Sequence, residues 1–190
     1  MQRTSEAIRA FNDGVAADGR REWNRAVERY RAAVAVDGDF FEAWFNLARS
    51  LERTEGTAAA LAAWGQALRI RTTDPEVHMQ IGRLLEDSER PRQAWAFFAL
   101  AESLEPSRHE ASFRAGLQAF REGDWLVARP FLERAAAAAP DRPTYALNLA
   151  ALYLNLDLLD LARREVERAR RLGSDVRRLE AEIAARASSR

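Results

Sequence analysis

Few residues in this chain have the types and spacing that chemistry needs. There are two histidines, His78 and His109, and no cysteine. A metal site or a proton relay needs imidazole, thiolate or carboxylate groups that converge, and two isolated histidines supply neither. The absence of cysteine excludes disulfides and thiolate nucleophiles as well. Ser188 and Ser189 lie in a terminal tail, and no glycine-rich phosphate loop occurs. Asp and Glu are plentiful, but they are interspersed with Arg at helical spacing and read as solvated faces. No catalytic residue, no metal ligand and no cofactor are expected.

The composition fits a foldable chain. Of 190 residues, 47% are hydrophobic and 31% charged. No apolar run approaches the ~18 residues of a membrane span, and MQRTSEAIRAF lacks an apolar leader segment. A cytoplasmic location is the expectation. All 29 basic residues are Arg, which together with the alanine content points to a GC-rich, bacterial coding sequence. Formal net charge is zero, so no overall basic field drives nonspecific nucleic-acid binding. Near-zero charge also favours self-association.

Weak catalytic prospects turn attention to the scaffold. Stepping by 34 from Ala26 gives Ala60, Ala94, Ala128 and Ala162. Stepping by 34 from Ala33 gives Ala67, Ala101, Ala135 and Ala169. A third column, Gly14, Ala48, Gly82, Gly116 and Ala150, is always Gly or Ala. Between the alanine columns runs a large apolar one: Tyr30, Trp64, Phe98, Leu132 and Val166. The units are 7–40, 41–74, 75–108, 109–142 and 143–176, without insertion or deletion. Each holds two apolar-periodic segments around a polar break such as REW, EGT, SERP or EGDW, which reads as helix, turn, helix. Asp74 before Pro75 marks a capped helix start, and Asp124 before Trp125 a second. Pro130 falls inside a helix and predicts a kink. A helix pair cannot bury its own apolar face, so neighbours must stack, and small residues are required where backbones come close. Ala94→Leu or Ala128→Leu is expected to overpack such a junction by ~1–3 kcal/mol.

These columns resemble the tetratricopeptide repeat. The third unit carries Ile81, Gly82, Leu85, Ala94, Phe98, Ala101 and Pro106 at that family's places, and the fourth Gly116, Ala128, Leu132, Ala135 and Pro140. The resemblance covers 170 of 190 residues; unit one departs from it at Ala10 and Asp13. It implies an all-α, right-handed α-solenoid: a single array over 1–190 of five helix-turn-helix repeats and a capping helix at 177–187, eleven helices in all.

The resemblance also implies a groove lined by the first helix of each unit. Its fifth-place column is Phe11, Phe45, Met79, Phe113 and Leu147, all large and apolar. The ninth place gives Arg49 and Arg83, the thirteenth Arg53 and Arg121, and the sixth Asn46 and Asn148. Apolar side chains beside Arg suit an amphipathic helix or an extended peptide with apolar anchors and carboxylates. The expected function is a non-enzymatic scaffold for a protein or peptide partner. The alternatives are homo-oligomer assembly and binding of RNA or an acidic partner. The last would use the arginine-rich end, Arg163, Arg164, Arg168, Arg170, Arg171, Arg177 and Arg178, but nucleic acid is disfavoured because no aromatic residue is interleaved there. Phe45→Ala with Phe113→Ala is expected to abolish partner binding while leaving the thermal midpoint little changed.

Overall fold

The computed structural model describes residues 4–188, which form eleven α-helices and no strand. Residues 1–3 and 189–190, Ser189 among them, lie outside the described residues. The chain divides into two compact units, 1–90 and 91–190. The first holds α1 (Ser5–Gly19), α2 (Trp23–Val36), α3 (Phe41–Thr54), α4 (Thr57–Ile70) and α5 (Pro75–Asp87). The second holds α6 (Pro91–Leu104), α7 (His109–Arg121), α8 (Trp125–Ala138), α9 (Pro143–Asn155), α10 (Leu159–Arg171) and α11 (Arg177–Ser188).

Packing explains the small columns. All ten alanines of the two invariant columns are fully buried. So are Ala48 and Ala150 of the third column, while Tyr30, Trp64, Phe98, Leu132 and Val166 are at most 3% exposed. A Cβ built on Gly14 would sit 2.6 Å from two ring carbons of Tyr30. One on Gly116 would sit 2.7 Å from Leu132 Cγ and 3.0 Å from the Leu132 backbone nitrogen. In repeats one and four, then, the small residue of the first helix receives the large residue of the second at van der Waals contact.

The turns repeat in backbone although they differ in sequence. The N–H groups of Glu22, Gly56, Arg90, Asp124 and Leu158 donate to the carbonyls of Ala17, Leu51, Leu85, Ala119 and Tyr153, at 2.8–3.0 Å. Each bond reaches back five residues and closes the first helix of a pair in a Schellman-type turn. Between pairs, the carbonyls of Ala33, Ala67, Ala101 and Ala135 each accept from the residue four later at 3.0 Å. The invariant alanine therefore also marks where the second helix ends.

Caps follow the sequence in part. Asp74 caps α5, accepting from the Val77 N–H at 3.1 Å with Pro75 in the first turn. Thr4 caps α1, accepting from the Ala7 N–H at 3.3 Å, so this helix starts ahead of the repeat frame. Asp124, expected to cap α8, stands at the N-cap but makes no side-chain cap bond. Its ψ is 59°, against 112° at Asp74, because its N–H closes the preceding turn onto Ala119. Pro130 does not end α8, which runs unbroken from Trp125 to Ala138. It leaves the Leu126 carbonyl without an i+4 donor, at a residue 77% exposed.

Candidate functional site

In the first unit, α3 and α5 build one cavity of about 350 Å³. Phe45, Arg49, Glu52 and Arg53 follow at helical spacing on α3, and Glu76, Gln80 and Arg83 on α5, so each helix turns one face to it. Four of the sequence-expected residues thus converge: Phe45, Arg49, Arg53 and Arg83. The Phe45 ring stands edge-on to Trp64 at 4.8 Å between centroids and lies 5.8 Å from Phe41. Arg83 pairs with Glu52 across the cavity, reaches Asp87 at 3.4 Å and donates to Gln80 Oε1 at 3.1 Å. Glu52 also accepts from Trp64 Nε1 at 3.0 Å, and Gln80 donates to Glu76 at 2.6 Å. Arg49 is exposed and pairs with no carboxylate among the described residues.

The other expected residues take different places. Phe11 is half-buried on α1 against Phe40 and Tyr30, at 4.9 and 5.9 Å between centroids, and does not line the cavity. Asn46 is half-buried next to the Tyr30 hydroxyl. Burial, reinforced by Asp18, pushes that hydroxyl up to about 12, with Arg49 and Asn46 opposing. Met79 is buried, so it has little surface for a ligand. In the second unit Phe113 stacks on Tyr145 at 4.3 Å and 24°, and Tyr145 meets His109 Nδ1 at 2.9 Å. Burial, then Glu110, raises the Tyr145 pKa. Leu147 is half-buried against the core, and Arg121 is exposed at the end of α7. The Asn148 amide donates to the Thr144 carbonyl of its own helix at 2.8 Å, which spends one of its two N–H groups. Phe45 and Phe113 are both half-buried with ring contacts, so truncating them removes packing. The expectation that their loss leaves the melting point unchanged is corrected on that ground.

Glu52 and Gln80 were not singled out in the sequence, where a polar helix residue looks like a solvated one. The signal was positional: Glu52 stands at a groove place of its unit, and Gln80 shares the column of Asn46 and Asn148. His78 is buried and its Nε2 meets the Thr72 carbonyl at 2.9 Å, as a packed residue would. No group of three His, Asp or Glu suited to a metal occurs among the described residues, and none of their helices is long and apolar enough to cross a membrane. The arginine-rich end is largely tied down. Arg163 pairs with Asp160, Arg168 with Glu165, Arg170 with Glu167 and Glu180, and Arg177 with Asp175.

No family model matches the sequence. The chain is 29% identical over 85 residues to the protein O-mannosyl-transferase TMTC3 of Mus musculus, a match spanning 45% of this chain and 9% of that protein. Among solved structures it is similar to a MamA protein, with TM-score 0.79 and 16% identity over 88% of this chain and 91% of that one. It is similar to YrrB, a TPR protein with an unusual peptide-binding site, with TM-score 0.78 and 20% identity over 97% and 92% of the two chains. PilF of Pseudomonas aeruginosa follows at TM-score 0.70 and 20% identity over 93% and 81%. At these identities the likeness is one of fold, and the fold of this chain is that of the tetratricopeptide repeat, an all-α solenoid of helix-turn-helix pairs.

Proposed function

We propose that this chain is a non-enzymatic interaction scaffold that binds an extended peptide or amphipathic helix of a partner protein on the face built by α3 and α5. One observation carries the reading. A cavity of about 350 Å³ sets a half-buried aromatic ring, Phe45, beside an exposed guanidinium, Arg49, that pairs with no carboxylate among the described residues. The ring can seat an apolar anchor and the guanidinium can take a carboxylate or a backbone carbonyl. Arg83 lines the same cavity, and Asn46, with Phe113, Arg121, Leu147 and Asn148 of the second unit, stands at the corresponding repeat positions. The peptide-binding site of YrrB, on a chain of similar fold, adds support.

The test is selection of random dodecamer peptides on the immobilised chain, followed by fluorescence anisotropy of the best binder. Phe45→Leu combined with Arg49→Glu should lower its affinity at least tenfold without loss of the folded state. Equal affinity for that variant would refute the reading.

A second reading, self-assembly, is favoured by a different observation. Trp125, Leu126 and Val127 open α8 with three consecutive exposed apolar side chains, at 38, 77 and 44%. Static light scattering should then show mass rising with concentration, and Leu126→Gln should abolish the rise. A constant monomer mass would remove this reading.

A further inference from the structure

We infer that the binding face continues from the α3–α5 cavity, over Arg53, into a second cleft at the turn between α1 and α2, and that it takes an acidic peptide segment. The inference rests on the reading that the α3–α5 face binds a peptide. The second cleft, of about 660 Å³, is lined by Arg21, Trp23, Arg25 and Arg53 among others, and Arg53 lines both cavities. Its guanidinium donates to the Arg49 carbonyl at 3.0 Å and lies 4.9 Å from the Trp23 ring centroid. Neither contact neutralises its charge. Arg21 is exposed on the left-handed turn, with φ 62°, and like Arg49 has no carboxylate partner among the described residues.

The acids at these cavities are already engaged. Glu22 is the one acidic residue lining the turn cleft, and Arg20 and Arg25 hold it at 2.8 and 3.1 Å. The Arg20 hydrogen bond, chiefly, pulls the Glu22 pKa below its ordinary value. Glu52 is taken by Arg83 and Trp64, while Glu76 accepts from the neutral Gln80 amide, a bond that does not neutralise its charge. The two cavities together present five arginines against three glutamates, in a chain of zero formal charge. Positive potential is therefore concentrated here, and it comes from Arg21, Arg49 and Arg53. A segment with an apolar side chain at Phe45 and two carboxylates beyond it would neutralise Arg53 and Arg21 in turn. RNA fits the cleft less well. Base stacking needs an open aromatic face, and Trp23, the one ring lining the turn cleft, carries Arg53 over its face.

The experiment is the dodecamer selection on the full chain, repeated on Arg21→Gln with Arg53→Gln. Enriched peptides should carry an aromatic or aliphatic anchor followed by at least two Asp or Glu. The double variant should keep the anchor preference and lose the acidic one. Its affinity for the best acidic peptide should fall roughly tenfold at low salt and less at high salt, since two exposed, screened contacts are removed. Arg53→Lys, which keeps the charge, should retain most of the affinity. Enrichment without acidic residues, or unchanged affinity in the double variant, would overturn the inference and leave the groove reading standing. No enrichment over bare beads would sink both. Binding of oligouridylate that depends on Arg21 and Arg53, in place of the acidic peptide, would overturn the assignment in favour of RNA.

Discussion

Two glycines of the first unit, both inside helices, should respond in opposite directions to the same substitution. Gly65 lies in the exposed middle of α4, and a Cβ there meets nothing within 4 Å. Gly65→Ala should gain the ordinary helix-propensity difference, about 1 kcal/mol. Gly14 lies in α1, and its added Cβ would come within 2.6 Å of two ring carbons of the fully buried Tyr30. The propensity gain is the same, about 1 kcal/mol. Against it stands overpacking of a ring that has no free space, roughly 2 kcal/mol. The net is a loss of about 1 kcal/mol, so the two variants should differ by about 2 kcal/mol. In differential scanning calorimetry that is a gap of roughly 4–8 °C, with Gly65→Ala above the parent and Gly14→Ala below it. Gly116→Ala should behave like Gly14→Ala in the second unit, because there the close atoms include the Leu132 backbone nitrogen. If Gly14→Ala rises together with Gly65→Ala, the small-residue column is not set by close approach, and the packing explanation of the repeat fails.

Two further predictions concern single side chains. Arg168 on α10 donates to the Ala136 carbonyl at 2.7 Å and to the Pro140 carbonyl at 3.1 Å, satisfying acceptors at the end of α8. Arg168→Gln should cost about 1–2 kcal/mol in urea unfolding, and Arg168→Lys should recover only part, since an ammonium lacks the planar fork. Tyr30 contributes to alkaline stability. Burial first, then Asp18, raises its pKa from 10.0 to about 12, so the unfolded chain loses that proton before the folded one. Its contribution is fully present below pH 10 and is lost as pH rises from about 10 to 12, on the order of 2 kcal/mol. Unfolding of the parent should weaken over that window, and Tyr30→Phe should weaken less; equal slopes would contradict the assignment.

The parts of this fold that were legible are those where chemistry and position coincide. Ala128 and Ala135, small in every repeat, are fully buried in the core of the second unit, and residue size, visible in the sequence, marked them. The turns were legible as breaks but not as geometry. Arg21, Glu89 and Asp157 adopt left-handed φ although none is glycine, because the five-residue closing bonds fix the backbone whatever the side chain. At the candidate site, Phe45, Arg49 and Arg83 stood out as a ring and two cations at repeat positions. The pairing of Glu52 with Arg83 and Trp64 did not, since it depends on which faces of α3 and α5 oppose each other. The half-burial of Phe11, Phe45 and Phe113 was left open by the sequence, because one helix face can pack against its neighbour and line a groove at once.

The most direct test of the central claim is an NMR titration of the isotopically labelled chain with its best selected dodecamer. Binding on the proposed face predicts the largest amide shifts at Phe45, Arg49 and Arg83, with α8 and α10 little changed. Shifts confined to α8 and α10, or none at α3 and α5 at saturating peptide, would contradict it.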